Sequence, residues 1–224
     1  MKDIHFDGTT RNLPLMDLPA VIYVRGLKRG IDIAIALLAL PILIPMIAVL
    51  CLIIRRDGAP GLYGQERIGR YGQPFTCWKL RTMVPKAEQI LGTMCAQDPK
   101  VAREWNTRQK LGDDPRITGF GAFLRASSFD ELPQIWNVLV GDMSFVGPRP
   151  FMANQEAAYL AAGGSAYFRM RPGITGPWQV EGRGATRFSD RVAYDAAYYD
   201  QISLGYDLLL IFRTVPVVCR KTGH

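Results

Sequence analysis

The chain has 224 residues, of which 48% are hydrophobic, and a formal net charge of +7. This length can bury a sizeable core, and the positive charge favours an anionic partner such as a membrane surface, a nucleotide or a nucleic acid. The two histidines, His5 and His224, lie near the termini, and the four cysteines show no C-x-x-C spacing. A His-dependent catalytic site, a zinc site and a disulfide framework are therefore not expected, so carboxylates must carry any nucleophilic chemistry.

Residues 1–24 form a predicted N-terminal extension. Three aspartates and three prolines or glycines occur in its first 22 residues. A cleavable signal peptide needs a basic start and then a short apolar stretch, so none is expected here.

The longest apolar run extends from Ile33 to Ile54 and contains no charged residue. As a straight helix it would measure roughly 33 Å, enough to cross a hydrocarbon core of about 30 Å. Pro41 and Pro45, however, each remove a hydrogen bond from the same helix face, which favours a sharp bend. Basic residues flank the run on both sides, whereas a spanning helix usually carries them on its cytoplasmic side only.

Residues 25–56 are therefore predicted to form a re-entrant helix-break-helix that enters and leaves the membrane on one side. A kinked spanning helix and a buried soluble hairpin are the alternatives. Carbonyl groups freed by the prolines would need partners in lipid, and no nearby serine or threonine supplies one.

Residues 57–224 are predicted to form a cytoplasmic globular domain. Segment 60–81 favours a small β-hairpin with its turn at Gly69–Gly72. The turn also contains an R-x-G-x-x-G pattern seen in phosphate-binding loops, but a plain hairpin turn is the favoured interpretation. Residues 84–110 predict one helix that is solvated or interfacial.

The following segments predict a turn, three helices and an irregular region. Asp113 and Asp114 fit a turn or a helix cap better than a metal site. Helices are predicted over residues 153–162, 188–199 and 203–218. The last is an amphipathic helix at a membrane interface or an ordinary core helix. Together these elements predict an α+β fold that is mostly helical.

The Gly- and Pro-rich segment 169–184 is predicted to be an ordered loop or short irregular strands. Its Arg169, Arg171 and Arg183 are candidate anion contacts or ordinary surface residues.

The densest group of reactive side chains begins with Asp130 and Glu131. A capping box with Ser127 or Ser128 as N-cap would place Pro133 inside the helix, at the cost of a hydrogen bond. With Asp130 as N-cap, Pro133 falls at the third helical position, where no intrahelical donor is needed. Asp130 would then lie where the helix dipole favours an anion, or it would serve only as a cap.

Arg149 is flanked by Pro148 and Pro150, which fix the backbone around a guanidinium whose planar fork suits a phosphate. Asp142 precedes this turn and is a further metal candidate, although a turn acid is the favoured interpretation.

Four stretches together resemble the bacterial monotopic phosphoglycosyl transferases, which form the bacterial sugar transferase family. They are KRGIDIAIALLALPILIP, RIGRYGQPFTCWKLRTM, DDPRITGFGAFLRASSFDELPQIWNVLVGDMSFVGPRP and RPGITGPWQVEGR. The resemblance runs from about Lys28 to Val218 and is most specific between Asp130 and Pro150.

The resemblance implies a reaction and two substrates. A hexose-1-phosphate, galactose- or glucose-1-phosphate first, would pass from a UDP-sugar to undecaprenyl phosphate with release of UMP. This would be the first membrane step of exopolysaccharide synthesis, at the cytoplasmic face of the bacterial inner membrane.

The resemblance also implies roles for particular residues. Asp130 would be the nucleophile and a Mg²⁺ ligand, and Glu131 would be an assisting catalytic group. Basic side chains would bind the substrate phosphates, and Pro45 matches the helix-breaking proline of the family. The basic candidates are Lys79, Arg125, Arg149 and Arg183.

Three positions depart from the family pattern. Ile44 stands where relatives often have serine, and Glu181 and Gly184 replace polar residues of the loop that follows the main motif. Amphipathic helices would support a homodimer in the membrane.

Two other classes of function compete with a transferase. A membrane-docked adaptor without catalysis needs no acidic pair beside a Pro-Arg-Pro turn. Nucleic-acid binding is not expected, because the basic residues are dispersed and the apolar segment would have no purpose.

Overall fold

The computed structural model describes residues 21–108, 111–182 and 187–219. Within these ranges the chain is mostly helical and contains two small sheets of two strands each. The helices are α1 (Lys28–Ile54), α2 (Ala87–Gln97), α3 (Pro99–Arg108), α4 (Gly119–Ala126), α5 (Gln134–Val140), α6 (Glu156–Ala161), α7 (Arg191–Gln201) and α8 (Leu204–Cys219). The strands are β1 (Leu62–Ile68), β2 (Pro74–Leu80), β3 (Ser144–Val146) and β4 (Gly173–Thr175). The predicted class, mostly helical with a small hairpin, is confirmed.

Helix α1 is the long apolar element. Its backbone remains helical through Pro41 and Pro45, so the expected interruption of the helix is not seen. Each proline removes one hydrogen bond, but the neighbouring i→i−4 bonds keep the backbone helical. By length and composition, α1 and the turn that follows it (Lys28–Asp57) could cross a membrane, with a mean hydropathy of 3.0 in one 18-residue window. The re-entrant path stays a prediction.

The surface of α1 supports association with a membrane. Large apolar side chains stand exposed along its length, and Leu38 is 79% exposed. Exposed apolar side chains in this number mark a contact with lipid or with another protein. The exposed residues are Leu37, Leu38, Ile42, Ile44, Val49 and Leu52.

The chain divides into two compact units. The first contains the described residues up to Leu40, together with Gln65–Cys77 and Gln134–Val217. The second contains Pro41–Gly64, Trp78–Pro133 and the described residues from Val218 onward. The division falls inside α1, between Leu40 and Pro41. The predicted boundaries after residues 24 and 56 stay predictions.

The predicted hairpin is confirmed. Strands β1 and β2 pair, and the turn between them contains Tyr71 and Gly72 with φ angles of 61° and 74°. A connection this short permits only antiparallel pairing. Glycine adopts the left-handed conformation without a steric cost, which explains its place in the turn.

The predicted single helix over residues 84–110 is instead two helices. Helix α2 ends before Asp98, whose backbone is extended, and Pro99 begins α3. Proline disfavours helical geometry in the residue before it and suits the first position of a helix. The Asp98 side chain accepts the backbone N–H of Lys100 at 2.7 Å, which caps the new helix. The helices predicted over 153–162, 188–199 and 203–218 are present.

A parallel strand pair that the sequence did not predict organises the first unit. Ser144 pairs with Gly173 and Val146 with Thr175. A Cβ atom added at Gly173 would lie 2.1 Å from the backbone nitrogen of Gly147. Glycine is therefore required where the two backbones approach each other.

Aromatic residues form one core of the first unit. The Phe151 ring packs against Tyr159 and Tyr167, with centroids 5.1 and 4.3 Å apart. Tyr159 donates its hydroxyl to the buried carboxylate of Asp195 at 2.8 Å. Because Phe151 directly follows Pro150, this core anchors the Pro-Arg-Pro turn.

Helix α8 has both a buried and an exposed apolar surface. Leu210 is fully buried, whereas Leu208, Leu209, Phe212 and Val215 are exposed. An amphipathic helix in the interface would bury such an exposed surface in lipid.

Candidate active site

The acidic pair lies on a short turn between α4 and α5. Asp130 and Glu131 belong to a single 3₁₀ turn, in which the Leu132 N–H donates to the Phe129 carbonyl at 3.3 Å. Ser128 precedes the turn in the left-handed conformation, with φ of 59°. Both carboxylate side chains are half-buried.

Both capping hypotheses for this segment are wrong. The Ser128 side chain makes no cap hydrogen bond, and Ser127 donates its hydroxyl to carbonyls of the preceding helix. Asp130 is not an N-cap either, because α5 begins at Gln134. Pro133 explains the outcome: the helix starts directly after it, where the missing N–H costs nothing.

An apolar cluster packs against the residues that flank the acidic pair. Leu50 of α1, Leu80 of β2 and Leu124 of α4 are its buried members. Phe129 and Leu132, which flank the two acids, pack against it. The turn is therefore positioned by burial of its own apolar residues.

Lys79 and Glu131 form an ion pair beside the turn. The Lys79 Nζ lies 3.0 Å from Glu131 Oε1, and the two side chains are 18% and 17% exposed. Screening by water is weak at this burial, so the pair constrains both side chains more than an exposed pair would.

Arg125 lies near Asp130. Burial lowers the pKa of the Arg125 guanidinium, and the nearby carboxylates of Asp130 and Asp114 raise it in part. Its Nε donates to the Thr82 hydroxyl oxygen at 2.8 Å. The second unit thus brings together four candidates: Lys79, Arg125, Asp130 and Glu131.

A second buried ion pair, between Asp114 and Arg116, lies near Arg125. Arg116 donates from Nε and Nη2 to the two oxygens of Asp114 at 2.8 and 2.6 Å. Burial by itself raises the pKa of Asp114, but the hydrogen bonds and charge of Arg116, with the charge of Arg125, lower it below its ordinary value. Both carboxylate oxygens of Asp114 therefore accept hydrogen bonds from Arg116. The sequence reasoning missed Arg116.

Gly121 fixes the position of α4 and hence of Arg125. Thr118 caps this helix by accepting the Gly121 N–H at 2.9 Å, and its own N–H donates to the Thr82 carbonyl at 3.1 Å. A Cβ atom at Gly121 would lie only 1.9 Å from that carbonyl oxygen. Glycine therefore allows the helix to approach the segment that carries Thr82.

Arg149 belongs to the first unit. It is half-buried between the buried residues Pro148 and Pro150. Burial, with the nearby charges of Arg149 and Arg67, lowers the pKa of Arg191 to about 10. The Arg191 guanidinium also lies over the Trp178 ring at 4.0 Å. From the sequence, Arg67 was considered only as part of the disfavoured R-x-G-x-x-G phosphate loop, and Arg191 was not proposed. Only tertiary packing brings the two residues to Arg149.

The remaining candidates have simpler environments. Asp142 accepts a hydrogen bond from the Asn137 amide at 3.2 Å, which fits a turn acid. The same amide donates to the Thr76 carbonyl at 2.7 Å. Arg183 and Gly184 lie outside the described residues.

The carboxylates of Asp130 and Glu131 fit a magnesium site that substrate phosphates and water would complete. Among the described residues, no three His, Cys, Asp or Glu side chains group closely enough to enclose a metal ion. Mg²⁺ is usually held by one or two carboxylates together with substrate phosphates and water. Asp130 and Glu131 provide carboxylates for such an arrangement.

Comparison with known proteins decides the family. The sequence profile of the bacterial sugar transferase family matches residues 23–221. The chain belongs to this family. The membership expected from the sequence motifs is thereby confirmed.

Several curated proteins resemble this chain. The UDP-galactose-lipid carrier transferase of Erwinia amylovora is 42% identical over 199 residues, which cover 89% of this chain and 42% of that protein. The undecaprenyl-phosphate galactose phosphotransferase of Salmonella typhimurium has the same identity and coverage. The exopolysaccharide production protein ExoY of Sinorhizobium fredii is 40% identical over 225 residues, covering 100% of this chain and 99% of that protein. The chain thus spans less than half of the first two relatives and nearly all of ExoY.

Replacing Gly121 by alanine should destabilise the protein. Because the new methyl group would overlap the Thr82 carbonyl, we expect Gly121→Ala to lower the free energy of unfolding by about 1–3 kcal/mol. Thermal unfolding in detergent measures the change. Gly119→Ala is the matched control, since a Cβ atom there meets nothing within 4 Å. Equal melting temperatures for the two variants would contradict the proposed close approach.

Proposed function

We propose that this protein transfers a sugar-1-phosphate from a UDP-sugar to undecaprenyl phosphate. The observation that carries the proposal is the turn on which Asp130 and Glu131 lie beside Arg125 and Lys79. A carboxylate next to fixed cations is suited to attack a phosphate, because the cations offset the charge of the incoming anion. Two relatives are named for transfer to a lipid carrier or to undecaprenyl phosphate, which supports these substrates.

In the first step, an Asp130 carboxylate oxygen attacks the β-phosphorus of the UDP-sugar. The new oxygen–phosphorus bond replaces the bond to UMP, which leaves with its electron pair. The product is a phosphosugar attached to Asp130. This covalent route divides one reaction between two anions into two separate displacements.

In the second step, a phosphate oxygen of undecaprenyl phosphate attacks the same phosphorus. The bond to Asp130 breaks, and the carboxylate is regenerated. The lipid phosphate is already an anion, so the step needs no strong base. This agrees with the absence of histidine from the central sequence.

The other candidates bind and orient the substrates. Arg125 lies near Asp130 and would neutralise charge on the transferred phosphoryl group, and Glu131 would assist while Lys79 holds it in place. Arg149 would contact a donor phosphate with its guanidinium fork, and Arg183 is a further candidate for this contact.

Asp130 would hold Mg²⁺ together with the substrate phosphates. When bound, the ion would withdraw charge from the phosphate oxygens and lower the barrier to displacement. This assignment rests on the carboxylate donors described above and on the general preference of Mg²⁺ for such sites.

We further propose that α1 bends at Pro41 and Pro45, so that it enters and leaves the inner membrane on its cytoplasmic side. The two halves of the helix belong to different compact units, and the division falls at Pro41. Pro41 and Pro45 weaken the same face of the helix, and basic residues flank both ends. The water-soluble donor and the lipid phosphate would then meet on one side of the membrane. The sugar, with galactose and glucose as first candidates, and a homodimeric state stay predictions.

Asp130→Asn should abolish transfer without unfolding the protein. The amide is a poor nucleophile, so UMP release from UDP-galactose or UDP-glucose with undecaprenyl phosphate should fall by about three orders of magnitude or more. Asp113→Asn is the matched control, because Asp113 is exposed in the preceding loop. Activity of the Asp130 variant within a few-fold of the wild type would eliminate Asp130 as the nucleophile, whereas a wild type that releases no UMP would favour a non-catalytic adaptor.

Removal of divalent cations should stop turnover. We expect EDTA to abolish UMP release and added Mg²⁺ to restore it. Binding of Mn²⁺, followed by its EPR signal, should weaken about tenfold or more in Asp130→Asn and remain unchanged in Asp113→Asn. Full activity in metal-free buffer, or equal Mn²⁺ binding in both variants, would exclude Asp130 as a ligand.

Tags on the two termini should be accessible from the same side of sealed membrane vesicles. Replacing both Pro41 and Pro45 by alanine restores two hydrogen bonds and should straighten α1, which would move the termini to opposite sides in part of the population. Ile42→Ala, which keeps both prolines, is the control. Termini on opposite sides in the wild type would refute the re-entrant path.

A further inference from the structure

The first unit contains a cavity that the proposed reaction does not use. It lies between the start of α1, the β3–β4 pair and the turn after β1. Three arginines, one lysine, one aspartate and one serine provide its polar lining: Lys28, Asp32, Arg70, Ser144, Arg169 and Arg171. None of these residues belongs to the candidate active site.

Two of the arginines, Arg70 and Arg171, make hydrogen bonds through Nε and none through their Nη atoms within the described residues. Arg70 donates from Nε to the Arg169 carbonyl at 3.1 Å, and Arg171 donates from Nε to the Gly141 carbonyl at 2.9 Å. In the described part of the chain, the Nη atoms of these two residues make no hydrogen bond. Each backbone contact thus orients a guanidinium group without occupying its outer nitrogens.

Like charges are held close together in this cavity. Burial lowers the pKa of Arg70, Tyr71 offsets part of this effect, and the nearby guanidinium of Arg171 lowers the pKa further. Arg169 adds a third positive charge and lies over the Tyr199 ring at 5.9 Å. Such a cluster favours an anion, because each guanidinium otherwise repels its neighbours.

The carboxylates near the cavity do not cancel this charge. Asp207 pairs with Lys28 in an ion pair that neutralises both. Asp32 lines the cavity and accepts the Phe145 backbone N–H at 3.1 Å. Three guanidinium groups therefore face one carboxylate along the described wall.

Ser144 supplies an independent observation. Its side chain is completely buried, and although it lies close enough to Asp32 to lower the pKa of that carboxyl, within the described ranges its hydroxyl makes no hydrogen bond of good geometry. Buried hydroxyl groups nearly always have a partner, and leaving one without a partner costs stability. Because Ser144 lines the cavity, a ligand there could accept this hydrogen bond.

We propose that this cavity is a second anion site, in which Arg70, Arg169, Arg171 and the Ser144 hydroxyl bind a phosphate group. A phosphate presents several acceptor oxygens, which matches guanidinium nitrogens converging with a hydroxyl donor. The site adjoins the first turns of α1, so the phosphate could belong to a lipid headgroup or to a soluble phosphate compound. The proposal does not depend on the transfer reaction.

The test measures phosphate binding to the full chain in a maltoside detergent, which carries no phosphate. Hydrogen–deuterium exchange provides a local signal, and the variants below separate binding in this cavity from binding at the adjacent Arg149. We expect inorganic phosphate to protect residues 144–147 and 169–175 in a saturable manner. Protection that does not saturate, or that is absent from these segments, would overturn the proposal.

One double variant and a matched control distinguish a specific phosphate site from attraction of phosphate by the net positive charge. Arg70→Gln with Arg169→Gln should weaken phosphate binding by about tenfold or more, because two charged donors are lost. Arg56→Gln with Arg213→Gln removes the same charge from exposed positions outside the cavity and should leave the affinity unchanged. Equal losses in the two double variants would show attraction by net charge alone and refute the site.

Ser144→Ala tests the hydroxyl without changing the charge. It should weaken phosphate binding by about threefold or more and raise the melting temperature of the phosphate-free protein, because the unpaired polar group is removed. Ser189→Ala, at an exposed position, should change neither value. A Ser144 variant that binds phosphate as the wild type does would contradict the assigned role.

Added lipid identifies the source of the phosphate. Phosphatidylglycerol should displace inorganic phosphate if the site takes a lipid headgroup, whereas diacylglycerol, which lacks the phosphate, should not. Undiminished phosphate binding in the presence of phosphatidylglycerol assigns the site to a soluble phosphate compound.

Discussion

The packing of Leu50 against Leu80 and Leu124 is the contact on which the candidate active site depends. It joins the second half of an apolar helix to the end of a hairpin and to the helix that carries Arg125. Phe129 and Leu132 bury themselves in the same cluster and thereby hold the acidic turn between them. Hydrophobic burial, which has no directional preference of its own, thus positions groups whose chemistry is strongly directional.

Ion pairs then fix the positions of side chains that apolar packing determines only approximately. Asp114 with Arg116 and Glu131 with Lys79 are two such pairs within the second unit. Removing one partner of a buried pair leaves an uncompensated charge, so each pair is far more costly to break than its net contribution suggests. Arg125 lies near the carboxylates of Asp114 and Asp130, so the basic environment of Asp130 belongs to a larger network.

Local signals predicted the hairpin and several helices, because turn residues and apolar periodicity act over a few residues. The prediction of one helix over residues 84–110 was wrong, but the division at Asp98 could have been predicted, since Pro99 marks a helix start. The β3–β4 pair was not, because three-residue strands gain stability only from a partner 29 positions away in the register Ser144↔Gly173. Family motifs suggested Lys79 and Arg125, whose roles stay predictions, but nothing local indicates that Arg67 and Arg191 lie near Arg149.

The Lys79–Glu131 contact has a consequence for selectivity. A ligand that approaches Lys79 must compete with a carboxylate whose oxygen already lies 3.0 Å from the ammonium group. A neutral sugar hydroxyl or a singly charged carboxylate gains little by that exchange, whereas a pyrophosphate brings more charge than it displaces. The ion pair therefore acts as an electrostatic threshold. Only a highly charged ligand would be expected to displace Glu131 from Lys79.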